Sequence, residues 1–312
     1  SRYTHDPQGT PTVSLPTNKD LLTSDTPLNS PLGDFFLAGG FSIVACIILT
    51  IFVPSETTIF GWGIATLAVA YLVNYPHFIA SYQLFYGDGR HLFGRYATHP
   101  FYTLRVWFAG VVVPLMLIGI LLEIVLHRNS DLLVYLISAM YFFVGWHYIK
   151  QTYGCMVVLS AIKRVYYSKI ERIAILLPLY SIWFMTYVWL YAFTADRLSD
   201  TELYGFSFTH IWSFPSQILD FSYALVALTT LGMCIVLLRK WRTTGSVPPL
   251  SGIAAFVAIY LWWLPISVHP LFAMLVPFFH SLQYQLFITA YARRKALDDT
   301  HAPKNTSTTH ML

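Results

Sequence analysis

Long apolar stretches joined by short polar connections fill most of this chain. A helix needs roughly 20 apolar residues to cross the hydrocarbon of a bilayer. Hydrophobic residues make up 56% of the 312 positions and charged residues only 11%, far from the roughly 25% charged residues of a soluble domain. The sequence therefore predicts an all-α fold, a polytopic integral membrane helical bundle of about eight transmembrane helices. The predicted helices cover approximately residues 34–54, 57–86, 101–126, 131–161, 172–195, 217–238, 249–268 and 270–292.

Two polar tails flank this region. Residues 1–33 are rich in Pro, Thr, Ser and Asp and lack the basic start and apolar core of a signal peptide, so we expect a flexible N-terminal tail. Residues 34–294 form the predicted transmembrane domain, and residues 295–312 a polar C-terminal tail. Pro265 and Pro270 crowd the junction of the last two helices, and Pro277 is expected to kink the final one.

The distribution of basic residues predicts the orientation. Of the 19 Lys and Arg residues, fifteen fall in the two tails and in the connections after the second, fourth and sixth helices. The opposite connections carry only Arg128 and Arg197, while Arg105 and Lys150 lie within helices. Because basic loops stay on the cytoplasmic side, both termini are predicted to be cytoplasmic. The small net charge of +4 is spread by topology, so nothing indicates a nucleic-acid partner.

Three histidines lie at predicted membrane depth. His77 lies in NYPHFIASY, His147 in GWHYIKQTYG and His280 in VPFFHSLQYQ. Their helices run in the same direction, so we expect the three side chains to converge. Ionisable residues in hydrocarbon are costly and usually mark a site, and histidine is the commonest metal ligand. Each of them taken alone is more often a hydrogen-bonded packing residue than a ligand.

Each histidine has polar neighbours three or four residues away, on the same helix face. We expect Asn74, Ser81 and Gln283 to support the cofactor by fixing the histidine tautomers. Lys150, Gln151 and Tyr284 are candidate catalytic residues that orient ligands or stabilise a developing oxyanion. Lys150 has two plainer interpretations, snorkelling toward the interface or pairing with a buried acid. The following aromatic residues are expected to wall a pocket for an elongated apolar substrate: Tyr75, Tyr82, Phe143, Trp146, Tyr148, Phe278, Phe279 and Tyr284.

The connection YGDGRHLFGRYATHP adds two further candidate metal ligands, His91 and His99. Its three glycines allow tight turns, so it either folds against the histidines as a lid or runs over the surface with solvated histidines. Few acids lie at membrane depth, so a carboxylate-rich di-iron site is poorly supplied. Cys46, Cys155 and Cys234 have no paired spacing and are predicted to be small buried hydrophobic residues.

The order of these motifs resembles the Brp/Blh-type integral-membrane dioxygenases, which cleave beta-carotene to retinal. The matching positions are Pro76 and His77, then His147, then Phe279, His280 and Ser281. The resemblance implies a non-haem iron held by single histidines on transmembrane helices. The chain departs from that family at Phe78 and Tyr82, which replace a Gly and an Asp, and at Tyr284, which replaces a second histidine. Membrane desaturases differ further, because their HxxxH and HxxHH boxes are absent.

These patterns favour a membrane metalloenzyme in which His77, His147 and His280, with His91 or His99 as further candidates, hold one iron. Its substrate would be a lipid, carotenoid or other isoprenoid, and zinc or copper would suit the same ligands. One alternative is a haem- or quinone-binding electron-transfer subunit, with two histidines as axial ligands. Another is a proton-coupled transporter or a structural subunit of a larger membrane complex.

Overall fold

The fold is almost entirely helical. The computed structural model describes residues 4–5, 11–12, 27–52, 56–87, 100–203, 205–268, 272–273 and 275–301. The helices are α1 Pro31–Phe35, α2 Phe41–Ile51, α3 Glu56–Gly87, α4 Pro100–Trp107, α5 Val113–His127, α6 Ser130–Ile162, α7 Lys169–Leu198, α8 Ser216–Thr244, α9 Leu250–Leu261, α10 Trp263–Val268 and α11 Leu275–His301. Two antiparallel pairs of two-residue strands accompany them, β1 Thr4–His5 with β2 Pro11–Thr12 and β3 Glu202–Leu203 with β4 Phe206–Ser207.

Two π-helical turns join short helices into longer spans. Phe36–Gly40 connects α1 to α2, and Phe108–Val112 connects α4 to α5. With these joins, five helical spans among the described residues are long and apolar enough to cross a bilayer. They are Pro31–Ile51, Phe101–His127, Ser130–Ile162, Lys169–Leu198 and Ser216–Thr244. The predicted all-α membrane architecture is confirmed at this level, while the number of crossings and the side of each terminus stay predictions.

Each apolar stretch found in the sequence overlaps a helix, and the differences lie where prolines cluster. The seventh stretch is interrupted at Trp262, between α9 and α10. Pro277 was expected to kink the final helix, but α11 begins at Leu275 and the proline lies in its first turn. A residue in the first turn has no intrahelical partner for its N–H, so a proline there does not interrupt the helix.

Local sequence signals explain where several helices begin. Ser30, Asn129 and Ser168 each accept a hydrogen bond from a backbone N–H in the first turn of α1, α6 and α7, respectively. Ser168 and Glu171 form a reciprocal capping box, and the Glu171 carboxylate also pairs with Lys240 Nζ at 3.0 Å. Since Lys240 belongs to α8, this ion pair joins the beginning of α7 to the end of α8. Caps and pairs of this kind fix the ends of helices whose middles are held by packing.

Helix α6 lies at the centre of the bundle, where it packs against α7 and α9 and also contacts α5 and α11. Helix α3 packs on α11, and α7 packs along α8. The π-helical turn Phe36–Gly40 lies on α9 and α11. The main core contains Ile149 and Met156 from α6, Ile175 and Leu179 from α7 and Phe256 from α9. This arrangement places the C-terminal half of α3, the middle of α6 and the first turns of α11 side by side.

The turn Phe36–Gly40 approaches α9 so closely that backbone touches backbone. A Cβ atom added to Gly39 would lie 2.4 Å from the carbonyl oxygen of Ala254. Ala38, Ala254 and Ala255 are all buried at the same contact. Small residues allow helices in membranes to come this close, and van der Waals contact then holds them together.

The cysteines divide into two groups. Cys46 and Cys155 are buried, as predicted. Cys234 is exposed, so the prediction that all three are buried is wrong for this residue. In an apolar stretch, sequence alone does not distinguish the face of a helix that packs on protein from the face that meets lipid.

The glycine contact gives a test of the fold. Gly39→Ala should lower the free energy of unfolding by about 1–3 kcal/mol, because the new methyl group overlaps a backbone oxygen that cannot move aside. Gly119→Ala is the matched control, since a Cβ there meets nothing within 4 Å and helix propensity favours alanine by about 1 kcal/mol. Denaturation of the detergent-solubilised protein measures both. Equal stability of the two variants would contradict the close approach.

Candidate metal centre

The three predicted histidines come together from three helices. His77 is on α3, His147 on α6 and His280 on α11. Their ring centroids lie 5.2 Å apart for His77 and His280, 4.8 Å for His147 and His280, and 6.3 Å for His77 and His147. Each ring offers a nitrogen, and the three nitrogens all lie within 4.8 Å of one another. The predicted convergence is therefore confirmed, while metal binding by these residues stays a proposal.

Three of the ring nitrogens in this cluster are buried without a hydrogen-bond partner among the described residues. Among the described residues, neither ring nitrogen of His280 has one, nor does Nδ1 of His77. Both of these histidines are buried, whereas His147 keeps exposed surface and lines a cavity. A buried polar group without a partner costs about 1–3 kcal/mol, and a metal ion would remove that cost.

The donor set fits a single transition metal. A nitrogen ligand lies about 2.1 Å from zinc, so two such ligands are at most about 4.2 Å apart, which small rotations of these rings would reach. Where the structure describes the chain, the cluster contains histidines alone, without Asp, Glu or Cys. Three neutral imidazoles suit Fe(II), Zn(II) or Cu, and they leave coordination positions open.

Two tyrosines pack against the cluster. The ring of Tyr284 meets that of His77 edge to face at 4.0 Å between centroids, and the ring of Tyr148 lies 4.4 Å from that of His280. The hydroxyl of Tyr284 contacts Ser81 Oγ at 3.1 Å. Tyr284, a predicted catalytic residue, therefore lies beside a candidate ligand.

The other polar neighbours bind backbone carbonyls or each other rather than the imidazole nitrogens. Ser81 Oγ donates to the carbonyl of His77 at 2.9 Å, the usual i to i−4 bond of a serine in a helix. Gln151 Nε2 donates to the carbonyl of His280 at 2.8 Å, and the hydroxyl of Ser281 donates to Asn74 Oδ1. The bonds made by Gln151 and Ser281 fix α3, α6 and α11 relative to one another. Gln151, Ser281 and Asn74 therefore position the histidines through the backbone.

Gln283 has a different partner from the one expected. Its Nε2 donates to the carbonyl of Ala38 at 2.7 Å, in the π-helical turn before α2, and its Oε1 has no partner among the described residues. A π-helical turn disturbs the regular ladder of backbone bonds and leaves carbonyls that need other donors in lipid. Gln283 supplies such a donor and thereby attaches the N-terminal span to α11.

Lys150 lies outside the histidine cluster. Its Nζ lies over the rings of Tyr180, at 5.3 Å, and Trp146, at 5.8 Å. It does not line the cavity that the histidines share. Cation–π contacts stabilise a charge most where water is scarce, which gives this lysine a place in the membrane without an acid. The candidate ligands His91 and His99 fall outside the described residues.

A cavity of about 480 Å³ adjoins the cluster, with all three histidines in its wall. Its volume lies within the usual range for ligand pockets, roughly 300–1,000 Å³. The rest of the wall includes eight aromatic residues, namely Phe78, Tyr141, Tyr148, Trp183, Trp189, Phe193, Trp262 and Trp263. The indole N–H of Trp183 donates to the carbonyl of Phe142, and that of Trp263 to Thr186 Oγ1. Trp183 lies against Gly145, where a Cβ would meet its ring at 2.9 Å.

Sequence reasoning placed the aromatic wall on the wrong helices. Tyr75, Tyr82, Phe143 and Trp146 are exposed on the outside of the bundle, and of the eight expected residues only Tyr148 lines the cavity. Five of the eight aromatic residues in the wall come instead from α7 and from the junction of α9 and α10. A signal was present in α7, because its lining residues 182, 183, 186, 189, 190 and 193 recur at helical spacing and so form one face.

No protein-family model matches the chain, and neither a curated protein nor a solved structure matches it. The resemblance to the Brp/Blh-type dioxygenases therefore stays a prediction from short motifs. The chemistry of the site has to be inferred from the geometry of this chain.

The Gln283 contact separates a structural role from a cofactor role. Gln283→Met keeps the side-chain volume but leaves the Ala38 carbonyl without its donor, so the free energy of unfolding should fall by about 1–3 kcal/mol. Gln285→Met, on a half-buried residue of the same helix, is the control and should change stability little. Thermal denaturation gives the stability, and elemental analysis of the same samples gives the bound metal. Metal loss without destabilisation would instead support the predicted cofactor role.

Proposed function

We propose that this chain is an integral-membrane metalloenzyme, a non-haem iron oxygenase that acts on an elongated apolar substrate. The observation that carries the proposal is the meeting of three imidazoles, with unpartnered nitrogens, in the wall of an aromatic cavity. Packing alone gives no reason to hold three such rings together at membrane depth, where each unsatisfied nitrogen is costly. Metal binding gives that reason.

Iron is the preferred metal in this proposal, and zinc or copper would be held by the same donors. When bound, Fe(II) with open coordination positions supplies the activation of dioxygen. His77, His147 and His280 would hold it, and His91 or His99 would be further ligands. Because these ligands would be neutral imidazoles, they would leave the charge of the metal uncompensated.

The remaining residues bind and orient. The rings of the cavity wall exclude water and contact the flat or extended carbon skeleton of a lipid, carotenoid or other isoprenoid. Tyr284 fixes the orientation of the His77 ring, and Gln151 fixes the backbone that carries His280. We propose these two as positioning residues, and Lys150 as a residue that acts from outside the cavity through Trp146 and Tyr180.

The proposal includes the topology derived from the sequence. Eight crossings with both termini in the cytoplasm would put the basic connections on one side of the membrane. The overlap of each apolar stretch with a helix is compatible with this proposal, and five spans among the described residues are long and apolar enough to cross a bilayer. In this topology α3, α6 and α11 run in the same direction, which is compatible with the meeting of His77, His147 and His280.

The alternatives fit the geometry less well. A haem held by two of these histidines needs its plane free, yet the ring of His280 lies within 5.2 Å of both others. A proton relay normally includes acids, and the cluster contains none within the described part of the chain. Metal binding therefore accounts for the site better than electron transfer through haem or proton transport.

Removal of single ligands tests the proposal directly. His77→Ala, His147→Ala and His280→Ala should each lower the metal bound at limiting concentration by more than about tenfold, because loss of even an outer-shell partner costs 10- to 100-fold. His127→Ala and His210→Ala are matched controls, since these exposed histidines pair with Glu123 and Ser199 away from the cluster. Mass-spectrometric elemental analysis measures occupancy. Full occupancy in all three cluster variants would exclude the site.

A second measurement identifies the metal. Gently purified protein should contain close to one iron per chain and show no Soret band, because the histidines leave no plane for a porphyrin. Elemental analysis and an absorption spectrum on the same sample check this. A Soret band would overturn the non-haem assignment, and a metal-free, colourless protein that remains metal-free after anaerobic incubation with Fe(II) would overturn the metalloenzyme proposal.

A further inference from the structure

We propose that the histidine-lined cavity opens sideways into the bilayer through a mouth between α3 and α6, and that its substrate is a hydrocarbon chain taken from the lipid phase. This inference rests on the proposed function and adds to it the route and the physical state of the substrate. It follows from the exposure of the residues that line the cavity, from their depth and from their chemistry.

Exposure shows where the cavity is open. Among the lining residues, the exposed ones are Phe78 on α3, at 51%, and Met140 and Val144 on α6, at 49% and 39%, together with His147. The other residues of the wall, from α7, α9, α10 and α11 and the short segment before α11, are buried or half-buried. The exposed part of the described wall thus lies on α3 and α6, which places the opening between these two helices.

Depth shows what the opening faces. Helix α6 contains 33 residues, so its midpoint is Trp146, and Val144 and His147 lie within two residues of it. Phe78 lies about six residues from the middle of the 32-residue α3, or roughly 9 Å at 1.5 Å per residue. The hydrocarbon core extends about 15 Å to each side of its centre. The mouth therefore opens onto lipid tails rather than onto water.

The side chains at the mouth determine which kind of molecule can enter the cavity. Of the exposed lining residues, Phe78, Met140 and Val144 carry no charge and no strong hydrogen-bonding group, and the candidate metal ligand His147 is the polar exception. The mouth therefore offers little to compensate the loss of hydration of a polar molecule. Inside, the cavity continues as aromatic and aliphatic surface as far as the histidines. A hydrocarbon chain already dissolved among lipid tails loses no hydration on entering, and the flexible Met140 side chain adapts to its shape. The surface of the cavity is thus continuous with the lipid-facing surface of the protein.

Quenching of tryptophan fluorescence tests the lateral mouth. Four of the nine tryptophans line the cavity, namely Trp183, Trp189, Trp262 and Trp263. The full chain is reconstituted in liposomes and titrated with 1-bromododecane, a quencher that dissolves in hydrocarbon. If all nine tryptophans emit equally, Met140→Phe combined with Val144→Phe should remove about four ninths of the quenching, because the added rings obstruct the mouth.

Val158→Phe is the matched control. Val158 is on the same helix and 44% exposed, but it does not line the cavity, so quenching should equal that of the original protein. Met140→Ala widens the mouth, so its fluorescence should be quenched at a lower bromododecane concentration. This variant keeps the test decisive if the double variant does not fold. Unchanged quenching in both mouth variants would overturn the proposal. So would a loss of acrylamide quenching in the obstructed variant, since that would show access from water.

Metal analysis of the same samples separates this inference from the proposed function. Reduced quenching with metal retained supports both. Mouth-dependent quenching in a protein that binds no metal would support the lateral mouth and overturn the metalloenzyme proposal. Retained metal with mouth-independent quenching would overturn the lateral mouth alone.

Discussion

The absence of water in the bilayer core is the constraint on which the rest of this structure depends. Every buried polar group needs a partner within the protein, and α11 takes part in three of the bonds that join distant segments. Ser281 on this helix bonds to Asn74 of α3, the His280 carbonyl accepts from Gln151 of α6, and Gln283 reaches the carbonyl of Ala38. Helix α11 is therefore the common partner of three other segments.

This network also explains why the unpartnered nitrogens stand out. Serine, asparagine and glutamine around the site satisfy backbone carbonyls or one another, so the chain does not lack hydrogen-bonding groups there. The His280 ring nevertheless has no partner at either nitrogen among the described residues. A polar network that fixes the backbone around the rings but does not reach these ring nitrogens keeps the rings in place and leaves the nitrogens available to a ligand.

The sequence predicted the helices and the histidine cluster because both depend on simple contrasts. Apolar runs of sufficient length have to be helical in lipid, and His77, His147 and His280 are conspicuous within such runs. The expectation of a shared site needed only similar depth on parallel helices. Their convergence is now visible in ring separations of 4.8 to 6.3 Å.

The parts that sequence did not predict depend on side-chain direction and on distant contacts. Gln283 and Ala38 are 245 residues apart, and nothing local pairs them. Lys150 shares a helix with His147, yet it points to Tyr180 of α7. Tyr75, Tyr82, Phe143 and Trp146 are near the histidines in sequence but lie on the outside of the bundle, because an apolar helix has no polar face to indicate which side is inside. The cavity-lining face of α7 could not be told from ordinary core packing in the sequence, because it too consists of apolar residues at helical spacing.

The contact between Gly145 and Trp183 has a consequence for how such a protein diversifies. Gly145 sets the width of the cavity beside Trp183, because any carbon added to this glycine would displace the indole. Glycine codons become alanine, serine or valine codons by single-nucleotide changes. Gly145 is thus a position at which descendants of this chain could adjust the size of molecule they accept while keeping every histidine.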